Sequence, residues 1–371
     1  MRRFFQWLFK KPVTWLASKV SSSPHKKDVF SSLSRLHKSI VEKKTVLGIS
    51  VPSSGVVIPF DLNKDKYIVF SDQHKGAGDF ADDFRLCRNN YVTALEYYLE
   101  EGYTLINLGD AEELWENTPD EVIAKNEDSL QLEAKFIEQN RYYRVFGNHD
   151  LAWKFELNSN KYLKPIFGEK LKIYEGLILD AVYNNKNYSI FFAHGHQGDK
   201  RSDGNAFSMW VVSNIWTPIQ RFLNVSINTV ANSIELVDKH NIIMYEWSLA
   251  EKNILFISGH THKPVFASMD HVDRLTKLFE KLKQAGEKDA ADLVDAELTK
   301  RKKEYAGKKL TKTMVKPTYF NTGCCCFVDG DITGIEIEGD SIRLIKWEEE
   351  EQMPVRKILE QSQLTYIFDQ L

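Results

Sequence analysis

Short, mostly apolar runs recur along this chain, and each ends abruptly in a small polar cluster. Residues 67–70 (Tyr-Ile-Val-Phe) give way to Ser71-Asp72-Gln73-His74, and 104–108 to Gly109-Asp110. Residues 142–146 give way to Gly147-Asn148-His149-Asp150, 188–193 to His194-Gly195-His196, and 254–258 to Gly259-His260-Thr261-His262. Runs this short with little polar alternation predict strands of a sheet covered on both faces. Between the first two, Phe84, Leu86, Tyr91, Ala94, Leu95, Tyr98 and Leu99 recur at helical spacing over 82–101, closed by Gly102. A second amphipathic stretch with many acids follows at 119–141. Strands alternating with helices predict an α/β architecture. Residues 171–183 and 188–193 predict consecutive strands about an Asn184-Asn185 turn, and 318–327 and 332–347 finish the core with turns at Asp329-Gly330 and Gly339-Asp340. Two apolar stretches within 46–61 flank Pro52-Ser53-Ser54-Gly55, which predicts an edge hairpin.

Other segments depart from this rhythm. Residues 205–253, with Trp210, Trp216, Phe222 and Trp247, are apolar and helical in pattern beyond what one helix needs, and predict a helical cap. Residues 270–312 are dense in Lys, Glu, Asp and Ala with leucines at helical spacing. They predict a charged helical hairpin inserted between strands and turning near Gly286. The expected organisation is therefore a basic aromatic segment and linker over 1–45, one domain over 46–350 carrying both insertions, and a C-terminal tail over 351–371. Residues 21–45, rich in Ser and Lys, read as a linker or loosely packed helix.

Composition changes this picture in one place. A hydrophobic fraction of 43% and a charged fraction of 27% are ordinary for a soluble globular chain, and a net charge of −3 gives no reason to expect nucleic acid. The charge is uneven, however. Residues 1–50 hold eleven Lys/Arg against Asp28 and Glu42, a net of +9, leaving the rest at −12. Phe4, Phe5, Trp7, Leu8, Phe9, Trp15 and Leu16 are interleaved with Arg2, Arg3, Lys10, Lys11 and Lys19. Lys10, Lys11 and Pro12 break the apolar run, so it is too short to span a bilayer or to act as a secretory signal. Two readings stand for residues 1–20: an anionic membrane surface as partner, or a terminal helix packed on the body. The expected location is cytoplasmic, peripheral on the inner face of a membrane under the first reading. Cys87 and Cys324-Cys325-Cys326 have no zinc-knuckle or disulfide spacing and read as small buried residues in a reducing compartment.

The chemistry lies at the strand ends. Residues i and i+2 after a strand project the same way, so Asp72 and His74 can reach one ion. The five ends together supply Asp72, His74, Asp110, Asn148, His194, His260 and His262. Carboxylate, imidazole and amide oxygen form a ligand set for manganese, iron or zinc. Asp110 stands where one carboxylate can serve two ions, and two ions about 4 Å apart clamp both oxygens of a phosphoryl transfer.

In order and approximate spacing, Asp72-x-His74, Gly109-Asp110-x-x-Glu113, Gly147-Asn148-His149-Asp150, His194-Gly195-His196 and Gly259-His260-x-His262 resemble the calcineurin-like metallophosphoesterases. The resemblance implies a four-layer α/β/β/α sandwich and two divalent ions, manganese first, with iron or zinc as alternatives. It implies that Asp72, His74 and His262 hold the first ion, that Asp110 bridges, and that Asn148, His194 and His260 complete the second. A hydroxide held between the ions would attack phosphorus. His149 would face the substrate and stabilise or protonate the leaving oxygen, with Glu113 or Asp150 orienting its ring. His196 would contact substrate or support the ligands. Glu113-Leu114-Trp115 replaces the Asp-Arg-Gly of the protein phosphatases, which argues against a protein substrate. The string Gly109-Asp110-x-x-Glu113-x-Trp115 is similar to the UDP-diacylglucosamine pyrophosphohydrolase branch, which carries Arg where His149 stands. The expected activity is hydrolysis of a phosphate ester or pyrophosphate, on a lipid-linked substrate. The alternatives are a soluble nucleotide or general phosphodiesterase, and a non-catalytic scaffold of the same fold.

Overall fold

The structure is a computed structural model that describes residues 25–42, 45–46, 49–50, 54–79, 82–198, 234–304 and 316–371. Helix α1 (Lys26–Val41) is followed by the short strands β1 (Thr45–Val46) and β2 (Ile49–Ser50), then β3 (Gly55–Phe60) and β4 (Lys66–Phe70). Next come α2 (Arg88–Glu100), β5 (Thr104–Leu108), α3 (Pro119–Lys125), α4 (Glu127–Glu138) and β6 (Tyr142–Val145). Helices α5 (Glu156–Tyr162) and α6 (Lys164–Phe167) lead to β7 (Ile173–Tyr174), β8 (Gly176–Tyr183) and β9 (Lys186–Ala193). Then follow α7 (Ile234–Ala250), β10 (Ile254–Ser258), β11 (Val265–Phe266), β12 (Met269–Asp270), α8 (His271–Ala285) and α9 (Lys288–Glu304). Strands β13 (Tyr319–Asn321), β14 (Ile332–Glu338), β15 (Ser341–Glu350) and β16 (Met353–Gln363) precede α10 (Leu364–Phe368).

Two seven-stranded sheets carry the fold, in the orders β16-β15-β14-β4-β5-β6-β7 and β12-β11-β13-β10-β9-β8-β3. Alternation within each strand divides the apolar residues between layers. Tyr67 and Val69 of β4 join Ile106 and Leu108 of β5 and Leu255 and Ile257 of β10 in the core between the sheets. Their neighbours Ile68, Phe70 and Leu105 face Tyr91, Leu95 and Phe136 of α2 and α4. On the far side, Phe191, Phe256 and Tyr319 of the second sheet meet Val29, Leu33, Leu36 and Ile40 of α1 and Met244 and Trp247 of α7. The result is the expected helix, sheet, sheet, helix sandwich.

Three segments differ from the sequence reading. Residues 26–41 are neither linker nor loose: α1 buries a full apolar stripe and is part of the outer layer. The tail expected over 351–371 contains β16, paired antiparallel with β15 from Glu350↔Met353 to Ser341↔Gln363, and α10, whose Leu364, Ile367 and Phe368 plug the inter-sheet core. The edge hairpin is not formed across 52–55. Instead β1 pairs with β2, while β3 runs parallel to β8 at a sheet edge, where Pro59 is tolerated because one side of the strand needs no donor.

Of the expected cap, Ile234–Ala250 lies in the helical layer against β10 and β13, and residues 205–233 lie outside the described residues. Helices α8 and α9 form the charged hairpin, with Gly286 at its turn in the left-handed region.

Candidate metal centre

The strand ends bring the polar clusters together by strained turns. Asp72, His74, Asp110, His260 and His262 all have left-handed φ, between 50° and 69°. Such a conformation costs a non-glycine residue of order 1–3 kcal/mol and persists only where its surroundings enforce it. Here the enforcement is visible. Asp72 and His74 donate their backbone N–H groups to the carbonyls of Gly109 and Asp110, each at 3.0 Å. His260 N–H donates to Asp72 Oδ2 at 2.9 Å, and His149 N–H to Asp110 Oδ1 at 2.7 Å. The chain passes these carboxylates too closely for a side chain. A Cβ on Gly259 would lie 2.5 Å from Asp72 Oδ2, and one on Gly147 2.1 Å from Asp110 Oδ1.

Two donor groups result, sharing Asp110. In the first, His74 Nε2 and His262 Nε2 are 3.1 Å apart, His262 Nε2 is 3.3 Å from Asp72 Oδ1, and His74 Nε2 is 3.9 Å from Asp110 Oδ2. In the second, His194 Nε2 is 3.0 Å from Asp110 Oδ2, and these atoms cluster with a nitrogen of His260. Asp72 Oδ1, Asn148 Oδ1, His194 Nε2 and His260 Nε2 are buried yet make no hydrogen bond. Buried polar atoms are normally satisfied, so four orphans at one place mark where a ligand completes the site. Carboxylate, amide oxygen and imidazole nitrogen donors in this number fit divalent transition ions.

Charge follows the same logic. Burial alone would raise Asp72 and Asp110, but His194, His262 and His74 around the first, and His194, His149 and His74 around the second, hold both well below the carboxylate range. Burial opposes the charging of His194, yet Asp110 and Asp72 push it up to about 9. His260 is held well below the usual imidazole range by burial and by His194 and His240, so its ring is neutral, the form that ligates.

His149 stands beside the first group. Its ring stacks on Trp115 with centroids 4.0 Å apart and meets His74 edge-on at 4.6 Å. Glu113 Oε2 is 2.6 Å from His149 Nδ1 and 2.9 Å from His74 Nδ1, tying the two imidazoles together. Burial would raise Glu113, but His149 and His74 hold it at about 2.

The family model described as calcineurin-like phosphoesterase matches residues 66–264, more than half of the chain. The chain belongs to the calcineurin-like phosphoesterases. Among solved structures it is similar to Vacuolar Protein Sorting 29 from Cryptosporidium parvum, with 11% identity and a TM-score of 0.32, over 81% of this chain and 99% of that one. It is also similar to a dimetal phosphatase from Danio rerio, with 10% identity and a TM-score of 0.35, over 80% of this chain and 100% of that one. No curated protein matches it.

As a calcineurin-like phosphoesterase it is a metal-dependent hydrolase, and the remaining residues can be placed around that chemistry. Asp150 does not orient His149. Its two oxygens accept the N–H groups of Gly147, at 2.6 Å, and Ala111, at 3.0 Å, so it braces the turns that carry Asn148 and Asp110. Burial and the neighbouring Asp110 and Glu112 raise its carboxyl to about 7. His196 is buried, with its ring centroid 6.0 Å from that of Phe146 and 5.4 Å from that of His194.

Two contributors escaped the sequence reading. Trp115 stacks on His149 and donates its Nε1–H to the Asn148 carbonyl at 2.8 Å, and Cys326 Sγ lies 3.7 Å from His262 Nδ1. The tryptophan was signalled by its place in the Asp110 motif. The cysteine had no such signal, being 64 residues from its partner.

Proposed function

We propose that this phosphoesterase binds two divalent ions, manganese first and iron or zinc as alternatives, and hydrolyses a phosphate ester or pyrophosphate of an amphiphilic, lipid-linked substrate. Asp72, His74 and His262 hold the first ion, Asn148, His194 and His260 the second, and Asp110 serves both. The observation that carries the metal assignment is the set of four buried, unsatisfied atoms of Asp72, Asn148, His194 and His260 around Asp110. The bound ions would neutralise phosphoryl oxygens and lower the pKa of attacking water.

The chain's own residues do the rest. Glu113 occupies His149 Nδ1, which leaves Nε2 to deliver a proton to the leaving oxygen. Trp115 limits the ring to one plane. Glu113 remains anionic at neutral pH and holds the His149 ring in place through Nδ1.

The amphiphilic substrate is supported by apolar side chains left exposed on segments adjoining the site. Val328, two residues from Cys326, is 90% exposed, and Leu86, which packs beside Gly330, is 55% exposed. Phe155 and Leu157, just after the Asp150 turn, are 42% and 86% exposed. Residues 1–20, outside the described residues, would add an anionic membrane surface as partner; no described helix is long and apolar enough to cross a membrane.

The test is hydrolysis of bis-p-nitrophenyl phosphate, p-nitrophenyl phosphate and a UDP-sugar lipid with manganese, beside Asp110→Asn. Preference for the lipid pyrophosphate, lost in the variant, is expected. Activity on the simple esters alone removes the lipid reading and leaves a general phosphodiesterase. Liposome sedimentation of the full chain and a chain lacking residues 1–20 decides the membrane contact: equal sedimentation sinks it.

A further inference from the structure

Three imidazoles at the centre share one arrangement. Nε2 faces the space beside the carboxylates, and Nδ1 is engaged from behind. Behind His194 the partner is the Leu108 carbonyl, at 2.9 Å, and behind His74 it is Glu113 Oε2, also at 2.9 Å. Behind His262 it is the sulfur of Cys326, at 3.7 Å. We propose that Cys326 is a positioning residue for the first ion: its sulfur accepts the Nδ1–H of His262, fixes the tautomer that leaves Nε2 bare, and thereby sets how tightly that ion is held. This rests on His262 being an ion ligand, as proposed above.

A neutral imidazole has one N–H for which the acceptors on its two sides compete; with Nε2 given to an ion the proton sits on Nδ1 and needs an acceptor there. His262 Nε2 lies 3.3 Å from Asp72 Oδ1. Without an acceptor behind it, the proton would settle on Nε2 toward that carboxylate and block ligation. His262 is also the ligand most in need of a second anchor. Its side chain is 25% exposed, against 7% for His74 and none for His194, and it hangs from a left-handed backbone. The turn that carries Cys326 is strapped to the same strand end as the ligands, since Cys325 N–H donates to the Asp72 carbonyl at 3.1 Å. Of the other thiols, Cys325 turns toward the Thr333 carbonyl and Cys87 toward the carbonyls of Phe327 and Asp331, while Cys324 bonds to Cys326 and also lies near His262.

Calorimetric titration of the full chain with manganese tests this, using Cys326→Ala, Cys326→Ser, Cys325→Ala and His262→Ala. Cys326→Ala should weaken one of the two binding steps by about 10- to 100-fold and spare the other. Cys326→Ser, which keeps an acceptor but on a shorter bond that reaches less far, should recover part of the loss, Cys325→Ala should match the parent, and His262→Ala should lose the step. If Cys326→Ala fails to fold, the partial loss in Cys326→Ser carries the test. Parent affinity in both Cys326 variants, with the step lost in His262→Ala, overturns the thiol's role alone. Both steps intact in His262→Ala overturn the ligand assignment as well. Equal weakening in Cys325→Ala reduces the effect to packing. A sulfur-to-cobalt charge-transfer band in the cobalt-loaded protein, absent from Cys326→Ala, would make the cysteine a ligand instead.

Discussion

Buried carboxylates occur in two places near the ends of β4 and β5, and they are treated in opposite ways. Glu133, reaching in from α4, accepts hydrogen bonds from Tyr142 at 2.7 Å, Tyr91 at 3.0 Å, Asn107 at 3.2 Å and the ammonium of Lys75. Burial opposes its charge, yet Lys75 and Arg144 hold it below its usual range. Asp72, whose Oδ1 makes no hydrogen bond, and Asp110 lie beyond the strand ends among the unsatisfied Nε2 atoms of His194 and His260, and the backbone beneath them is strained. A saturated buried carboxylate holds the fold together. One left with an empty oxygen among imidazoles is arranged for something else to arrive.

The two clusters are joined by sequence neighbours. Lys75 follows His74, Glu112 precedes Glu113, and Arg144 of β6 pairs with Glu112 while lying 3.8 Å from Asp150. Bound ions on one side would therefore hold the same loops as the salt bridges on the other. Their contributions separate by experiment.

Chelation should make the largest difference. It should abolish hydrolysis while the far-ultraviolet dichroism stays native, and added manganese should restore activity; unfolding on chelation would mean that the Glu133 side does not hold the loops by itself. A loss of unfolding free energy of no more than about 2.7 kcal/mol per ion, relative to a hundredfold excess over Kd, would fit simple linkage. Asp110→Asn comes next, with a loss of roughly 1,000-fold in kcat/KM, equivalent to about 4 kcal/mol of transition-state stabilisation. A tenfold loss would show that Asp110 does not serve both ions.

Glu133→Leu should leave Lys75 buried and unpaired, costing about 3–5 kcal/mol in urea unfolding, with most of it recovered by adding Lys75→Met. No recovery would mean that Glu133 matters through Tyr91 and Tyr142 rather than through charge. The smallest effect is expected from Glu113→Gln, which keeps the shape but removes the charge behind His149 and His74. Here kcat should fall about 10- to 100-fold with stability nearly unchanged. A change in KM alone would deny the orienting role.

Most of the sandwich was legible in the chain because its strands are covered on both faces and so are apolar without interruption. The outer elements were not. The stripe Val29, Leu33, Leu36 and Ile40 of α1 sits among Ser and Lys residues that face water, and β16 alternates polar side chains along a half-exposed edge. Such segments are recruited by what lies beside them: the second sheet buries the α1 stripe, and β15 supplies the ladder for β16.

By itself the sequence determined which residues could bear the chemistry. Each motif is local, a strand end followed by two to four polar residues, and the same short-range sterics that stop a strand also turn its last side chains together. Only the tertiary structure decided which of two nearby carboxylates, Glu113 or Asp150, would meet His149. It also decided that His196 would be buried beside Phe146 and His194, and that a cysteine from a distant turn would stand beside His262. Those outcomes depend on how β6, β10 and the turn after β13 are juxtaposed across two sheets. Pairing over long sequence separations is set by packing of the whole core and leaves no periodic trace in the chain.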